Sequence, residues 1–140
     1  MASVSTYLNF LGNTEEAFRF YASVFGTEFT APITRMSDAP HGATLSEAER
    51  NLVMHVELPI AGGHLLMGTD MVASQGHELK LGNNMSISVQ PDSRAEADQL
   101  YAALAEGGSE STGMFEAPWN AYWGTTIDRF GIRWMFNVPN

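Results

Sequence analysis

The sequence predicts an α+β fold made of two βαβββ modules with cup-shaped, mostly antiparallel sheets. A strand pattern, a helix pattern and further strand patterns occur in this order twice along the chain. The segments 63–67 and 131–135 echo each other, since both read Gly-x-x-(Leu/Trp)-Met. With 140 residues, the chain has the length of one domain or of two small fused modules. We expect a single domain over 1–140, with modules at 3–71 and 84–140 and a connector at 72–83.

The first module opens with a strand at 7–11, in which apolar and polar residues alternate. Asn13 is the expected N-cap of the following helix, with Thr14 as an alternative. Apolar residues recur at helical spacing as far as Phe25, and Gly26 is a typical C-cap residue. These signals predict a helix that ends at Phe25.

Three more strands complete this module. A strand is expected at 28–36, followed by a loop at 37–48 and a short helical turn at 46–50. A regular alternation then predicts a strand at 51–58, whose apolar face carries Leu52, Met54, Val56 and Leu58. A Pro- and Gly-containing turn leads into the last strand at 64–68.

The second module repeats this order. A strand is expected at 85–90, and Pro91-Asp92-Ser93 opens a helix over 94–106 that Gly107 ends. Three strands should follow, at 112–116, 122–128 and 132–138.

Composition excludes several classes of function. The chain has 16 acidic and 7 basic residues, and a net charge of −9 disfavours a nucleic-acid partner. The absence of Cys excludes thiol catalysis and thiolate metal sites. Neither a signal peptide nor a membrane-spanning segment is visible, so we expect no membrane partner and a cytoplasmic location.

Several motifs together carry a family resemblance. They are the run from Tyr7 to Phe18, Phe20-Tyr21, Val24-Phe25-Gly26, Met67-Gly68-Thr69-Asp70, Trp123-Gly124 and the run from Asp128 to Trp134. In combination they resemble the PhnB-like branch of the vicinal oxygen chelate superfamily, which is also named after glyoxalase, bleomycin resistance proteins and dioxygenases. The resemblance implies paired βαβββ modules, each with a sheet curved over a ligand site, and a homodimer.

This branch often carries the label 3-demethylubiquinone-9 3-methyltransferase. A methyltransferase of the usual class binds its cofactor at a Gly-rich turn after the first strand of a parallel sheet. The sequence contains no G-x-G-x-x-G motif followed by an acidic residue. Literal methyltransferase activity is therefore not expected, and no cofactor is predicted.

The resemblance also implies where metal-using relatives hold their ion, with one ligand on the first and fourth strand of each module. Met67 and Met135 stand at the fourth-strand positions, and thioether sulfur binds the usual divalent ions poorly. The first-strand positions fall on Tyr7 or Asn9 in one module and on Ser86 or Ser88 in the other. None of these is a His or a carboxylate, so no metal is expected.

His55 and Glu57 are the strongest catalytic candidates. Residues two apart on a strand project from the same face. The pair could be a base oriented by a carboxylate, ligands of a displaced metal, or part of a solvated face. Asp70 is expected to cap backbone donors rather than contact a ligand. The remaining histidines are expected to be exposed, namely His41, His64 and His77.

The leading hypothesis is a metal-free protein that binds a small aromatic or mixed apolar and polar molecule. Its expected ligand-binding residues are Tyr7, Asn9, His55, Met67, Ser86, Trp123, Met135 and Asn137. Trp119 is expected beside Trp123 at the rim, where such side chains make flat apolar walls. One alternative is a metal-dependent lyase, isomerase or dioxygenase whose rearranged metal site includes His55, Glu57 or Asp70. Another is a dimeric interaction module whose cup is filled by its own side chains. Whether the protein is an enzyme stays open at this point.

Overall fold

The structure is a computed structural model that describes residues 1–40 and 42–140. The chain divides into two compact units, Met1–Lys80 and Leu81–Asn140. Within the described residues, no helix is both long enough and apolar enough to cross a membrane. The limits predicted for the two modules remain predictions.

Each unit contains one four-stranded sheet and one long helix. The elements of the first unit are β1 (Thr6–Phe10), α1 (Thr14–Phe25), β2 (Thr34–Arg35), α2 (Glu47–Arg50), β3 (Val53–Pro59) and β4 (Leu65–Asp70). Those of the second are β5 (Ile87–Val89), α3 (Arg94–Ala105), β6 (Phe115–Ala117), β7 (Ala121–Ile127) and β8 (Arg133–Pro139).

The two sheets have the same topology. Their strand orders are β1-β4-β3-β2 and β5-β8-β7-β6. In each sheet the first strand runs parallel to the last one, and the other neighbours are antiparallel. The predicted α+β fold with mostly antiparallel sheets is confirmed. The register is also shared, since Tyr7 pairs with Met67 and Ser88 pairs with Met135.

The two long helices begin in different ways. Ser93 caps α3 as predicted, because its hydroxyl accepts a hydrogen bond from the Glu96 N–H at 3.1 Å. Asn13 occupies the N-cap position of α1, yet its side chain makes no capping hydrogen bond. The predicted position of the N-cap is therefore correct, but the prediction that the Asn13 side chain caps the helix is wrong. Asp70, at the end of β4, supplies the acceptor instead.

Asp70 is buried and joins three parts of the first unit. Its Oδ1 accepts hydrogen bonds from the Gly12 N–H at 2.9 Å, the Thr14 N–H at 3.1 Å and the Thr14 hydroxyl at 2.6 Å. Its Oδ2 accepts one from the Val53 N–H at 2.9 Å. The prediction that Asp70 caps backbone donors is confirmed.

Three strands are markedly shorter than predicted, and one of them is β6, which forms at Phe115–Ala117 instead of 112–116. Of the strand expected at 28–36 only Thr34–Arg35 forms, since Pro32 lacks the N–H that a ladder needs. β5 covers only Ile87–Val89, so Ser86 lies just before it.

The alternation predicted for β3 is wrong at its first residues. Thr34 pairs with His55, but Arg35 pairs with Val53, so Met54 is an extra residue in a β-bulge. The bulge exchanges the sides of the sheet on which Val53 and Met54 were expected. Val53 is buried, and Met54 is 37% exposed.

Each long helix covers one face of its own sheet. In the first unit α1 contacts β3 and β4, and Phe18 is fully buried there. A Cβ at Gly68 would lie 2.6 Å from Phe18 Cε1, so only glycine allows this close approach. In the second unit α3 packs on β7 and β8 above the buried side chains of Trp134 and Phe136. One face of each sheet is thereby filled by core residues.

Candidate functional site

The opposite face of each sheet is the candidate functional surface. Along β4, Leu66 and Gly68 are buried, while Met67 and Thr69 on the other face are only half-buried. β8 shows the same alternation around Met135. We call the face that carries Met67 the first open face and the face that carries Met135 the second open face.

The first open face carries a chain of hydrogen bonds between polar side chains. The Tyr7 hydroxyl lies 3.3 Å from His55 Nδ1, and the two rings are 5.8 Å apart. His55 Nε2 lies 2.9 Å from Glu57 Oε1. The Thr30 hydroxyl donates to Glu57 Oε2 at 3.1 Å. Since β4 lies between β1 and β3, the Tyr7 side chain reaches across β4 to meet His55.

The hydrogen-bond partners fix the direction of this chain. An ionised carboxylate only accepts, so His55 Nε2 carries a proton and donates to Glu57. In the neutral imidazole, Nδ1 is then the acceptor, and the Tyr7 hydroxyl donates to it. The hydrogen bond from His55, followed by the one from Thr30, lowers the pKa of the Glu57 carboxyl. This carboxylate therefore stays ionised at neutral pH.

The chain is open to a ligand. The Tyr7 residue is 47% exposed, and the side chains of His55 and Glu57 are 37% and 34% exposed. Met67 pairs in register with both Tyr7 and Glu57, and Asn9 is exposed on the same face of β1. Five residues named from the sequence therefore lie together on the first open face.

The second open face is aromatic. The Trp123 ring is 5.5 Å from the Phe115 ring and 5.5 Å from the Trp119 ring, both edge to face. We call these three residues the aromatic cluster. Asn137 pairs in register with Trp123, which places it beside the cluster on β8. Of the predicted residues, this face brings together Trp123, Met135 and Asn137.

Ser86 lies outside the strand that borders this group. It is exposed and precedes β5, whereas Ser88 pairs with Met135. The start of β5 could not be placed from sequence because the polar segment before it gives no periodicity.

Three residues of the open faces were not identified from the sequence. Thr30 precedes β2 by several residues and reaches Glu57 only because the chain folds back beside β3. Phe115 pairs with Trp123 across the β6 and β7 hairpin. Because Phe115 is aromatic, it could have been proposed from the sequence as a further member of the aromatic group. Arg133 lies two residues from Met135 on β8, and its buried Nε has no hydrogen-bond partner among the described residues.

The residues at the expected metal positions do not fit a divalent ion. The register joins Tyr7 to Met67 and Ser88 to Met135, which offers a phenol, a hydroxyl and two thioethers. Within residues 1–40 and 42–140, no three His, Asp or Glu side chains form a group that could hold a metal. The carboxylate of Asp70 is already committed to four hydrogen bonds.

Two other histidines have hydrogen-bond partners among the described residues. His64 Nε2 lies 2.9 Å from the Thr6 hydroxyl, and His64 is half-buried rather than exposed as expected. His77 is exposed, and its Nδ1 accepts a hydrogen bond from the Val72 N–H. His41 lies outside the described residues.

Comparisons with known proteins identify the family. The family model described as 3-demethylubiquinone-9 3-methyltransferase matches residues 2–136. Protein PA1353 from Pseudomonas aeruginosa is 33% identical, with 99% of this chain and 98% of that chain covered and a TM-score of 0.84. A PhnB protein from Bacillus cereus is 25% identical, with 98% and 99% covered and a TM-score of 0.78.

A more distant structure supports the fold alone. A glyoxylase/bleomycin resistance protein/dioxygenase domain from Frankia sp. EAN1pec is 13% identical, with 100% of this chain and 97% of that chain covered and a TM-score of 0.64. Shared topology at this identity carries no information on activity. The chain belongs to the 3-demethylubiquinone-9 3-methyltransferase family, the PhnB-like proteins, and has a glyoxalase/bleomycin resistance-type fold.

Proposed function

We propose that this protein binds a small aromatic or mixed apolar and polar molecule on its open faces, without a metal ion. The observation that carries the proposal is the aromatic cluster. Trp119 is 57% exposed and Phe115 is 40% exposed, although both belong to residue types that usually bury most of their surface. Large aromatic side chains left together at a surface are typical of a recognition site.

The geometry of the cluster suits a flat ligand. Edge-to-face packing holds the Trp123 ring between two others, which restricts its rotation before any ligand arrives. A ring held in this way binds an aromatic partner without a large loss of side-chain entropy. Met135 is an adaptable neighbour that fits different ligand shapes. Asn137 offers a donor and an acceptor that would orient the ligand.

The structure gives no support for methyl transfer of the usual class. In a nucleotide-type cofactor site, the backbone amides at the helix after the first strand are free to meet the cofactor. Here the amides of Gly12 and Thr14 at the start of α1 donate to Asp70. This helix start is therefore occupied by the protein's own carboxylate.

Native mass spectrometry of freshly isolated protein tests the proposal directly. We expect an added mass in the small-molecule range that is released on collisional activation and is reduced at least tenfold by Trp119→Ala. Leu81→Ala is the matched control, since it also removes an exposed apolar side chain of the second unit. A stripped sample should then show quenching of tryptophan fluorescence when aromatic compounds are added. The proposal fails if no added mass appears and no compound of an aromatic panel changes the fluorescence.

Two expectations from the sequence remain predictions. Sedimentation velocity tests the homodimer that the family resemblance implies. Fractionation of cells that express the chain tests the cytoplasmic location.

A further inference from the structure

We propose that Tyr7, His55 and Glu57 form a proton-transfer group that accepts the proton of an acidic hydroxyl on a bound phenol or enol. We call these three residues the relay. This inference rests on the proposed small-molecule function and specifies the ligand class for the first open face. Tyr7 is the residue that contacts the ligand, His55 holds the proton, and Glu57 positions and stabilises the imidazole.

The donor and acceptor roles in the relay select the ligand. The single hydroxyl proton of Tyr7 is directed to His55 Nδ1, because Nε2 already donates to Glu57. The Tyr7 oxygen therefore presents lone pairs to its surroundings. A ligand that meets this oxygen must be a donor, and an aromatic or enolic hydroxyl meets this requirement while keeping a flat apolar body.

The ligand, Tyr7 and His55 together account for every proton and electron pair in the transfer. The O–H bond of the ligand breaks, its electron pair stays on the ligand oxygen, and the proton bonds to Tyr7 Oη. The original Tyr7 proton moves to His55 Nδ1, and both imidazole nitrogens are then protonated. The imidazolium donates from Nε2 to the Glu57 carboxylate, which offsets its charge. Tyr7 keeps its new proton and donates a hydrogen bond from it to the ligand anion, so the product is held by a charge-assisted hydrogen bond.

The side chains that lie beside the relay in register are uncharged. Thr34 on β2 pairs in register with His55, and β4 contributes the uncharged side chains of Met67 and Thr69. Thr30 donates to the second oxygen of Glu57 and so supports its ionised form. Arg35 follows Thr34 in β2, but its guanidinium hydrogen-bonds Glu15 on α1.

The test is carried out on the full chain with 4-nitrophenol as the probe. This compound is chosen because its phenolate absorbs visible light. Binding is measured by equilibrium dialysis, and the ionised fraction of the bound probe is measured by absorbance across pH. We expect the bound probe to ionise about one pH unit below the free probe, a roughly tenfold shift in its acid dissociation. Tyr7→Phe should retain binding within about threefold and abolish this shift.

Matched variants separate the relay from general effects of substitution. His55→Gln should also abolish the shift. Glu57→Gln should reduce it, because the amide oxygen still accepts from Nε2 but carries no charge. Tyr122→Phe is the tyrosine control, as the Tyr122 hydroxyl hydrogen-bonds Asp98 in the second unit. His64→Gln is the histidine control in the first unit. Both controls should ionise the probe as the unmodified protein does.

The outcomes distinguish this inference from the proposed function. If the probe binds and ionises equally with and without the Tyr7 hydroxyl, the relay proposal is overturned while small-molecule binding stands. If dialysis shows no binding of the probe, phenols are the wrong ligand class and the relay proposal also fails. Small-molecule binding is then judged by the mass spectrometry experiment alone.

Discussion

Replacement of Asp70 by Asn should destabilise the first unit by about 2–4 kcal/mol. The buried carboxylate accepts three hydrogen bonds on Oδ1 and one on Oδ2. With the amide oxygen at the Oδ1 position, the amide nitrogen faces the Val53 N–H, so one buried donor is left unpaired at a cost of about 1–3 kcal/mol. The three remaining hydrogen bonds also lose the strengthening that a charged acceptor gives. The opposite amide orientation is worse, since it opposes three donors.

Urea denaturation followed by circular dichroism measures the loss, and amide hydrogen exchange locates it. Exchange should accelerate most at the Thr14 and Val53 amides, which donate to the two different oxygens of Asp70. Asp92→Asn is the control, since Asp92 is an exposed aspartate that precedes the start of α3. The reasoning is refuted if Asp70→Asn costs less than about 0.5 kcal/mol and leaves exchange at both amides unchanged.

Three further predictions concern stability. The hydrogen bond from Arg35, followed by the one from Arg19, holds the pKa of the Glu15 carboxyl at about 2, below its usual value of 4.5. The folded state therefore gains stability above pH 4.5 and loses it as the pH falls toward 2. Glu15→Gln should remove this part of the acid dependence, as followed by thermal unfolding across pH. Gly68→Ala should cost about 1–3 kcal/mol in urea denaturation, because the new Cβ meets the buried Phe18 ring. Ser93→Ala should cost about 1 kcal/mol by the same measurement, since the cap of α3 is lost.

Each of these predictions has a clear contrary result. Parallel stability curves for Glu15→Gln and the unmodified protein between pH 4.5 and 2 would contradict the ion-pair argument. Gly82→Ala is the control for Gly68→Ala, since a Cβ at Gly82 would meet only Asn84 at 3.6 Å. An equal loss of unfolding free energy in the two variants would contradict the role given to the Phe18 contact. An unchanged midpoint for Ser93→Ala would show that other groups satisfy the Glu96 amide.

The parts of the fold that the sequence predicts well are those whose signals are local. The apolar spacing and Gly26 located the end of α1, and Ser93 located the start of α3. The cap of α1 could not be found in this way because its acceptor, Asp70, is 56 residues from Thr14. The bulge at Met54 is equally non-local, since it arises from the pairing of β3 with β2.

The sequence predicted several residues of the candidate site, but it did not predict how they are connected. The spacing of His55 and Glu57 on one strand predicted that they share a face, and their 2.9 Å contact confirms this. The contact of Tyr7 with His55 crosses an intervening strand, so no spacing along the chain could show it. Thr30 reaches Glu57 from a segment that has no regular structure at that residue.

The shared register shows which residues of the two open faces occupy equivalent positions. Glu57 pairs with Met67 and Thr125 pairs with Met135, so Glu57 and Thr125 occupy equivalent positions in the two sheets. Two residues earlier on these strands, His55 is then the equivalent of Trp123. One sheet thus carries a relay where the other carries the centre of the aromatic cluster. Because the backbone pairing is the same, this difference comes from side chains alone, and substitutions in the relay and in the aromatic cluster should affect proton transfer and ligand binding separately.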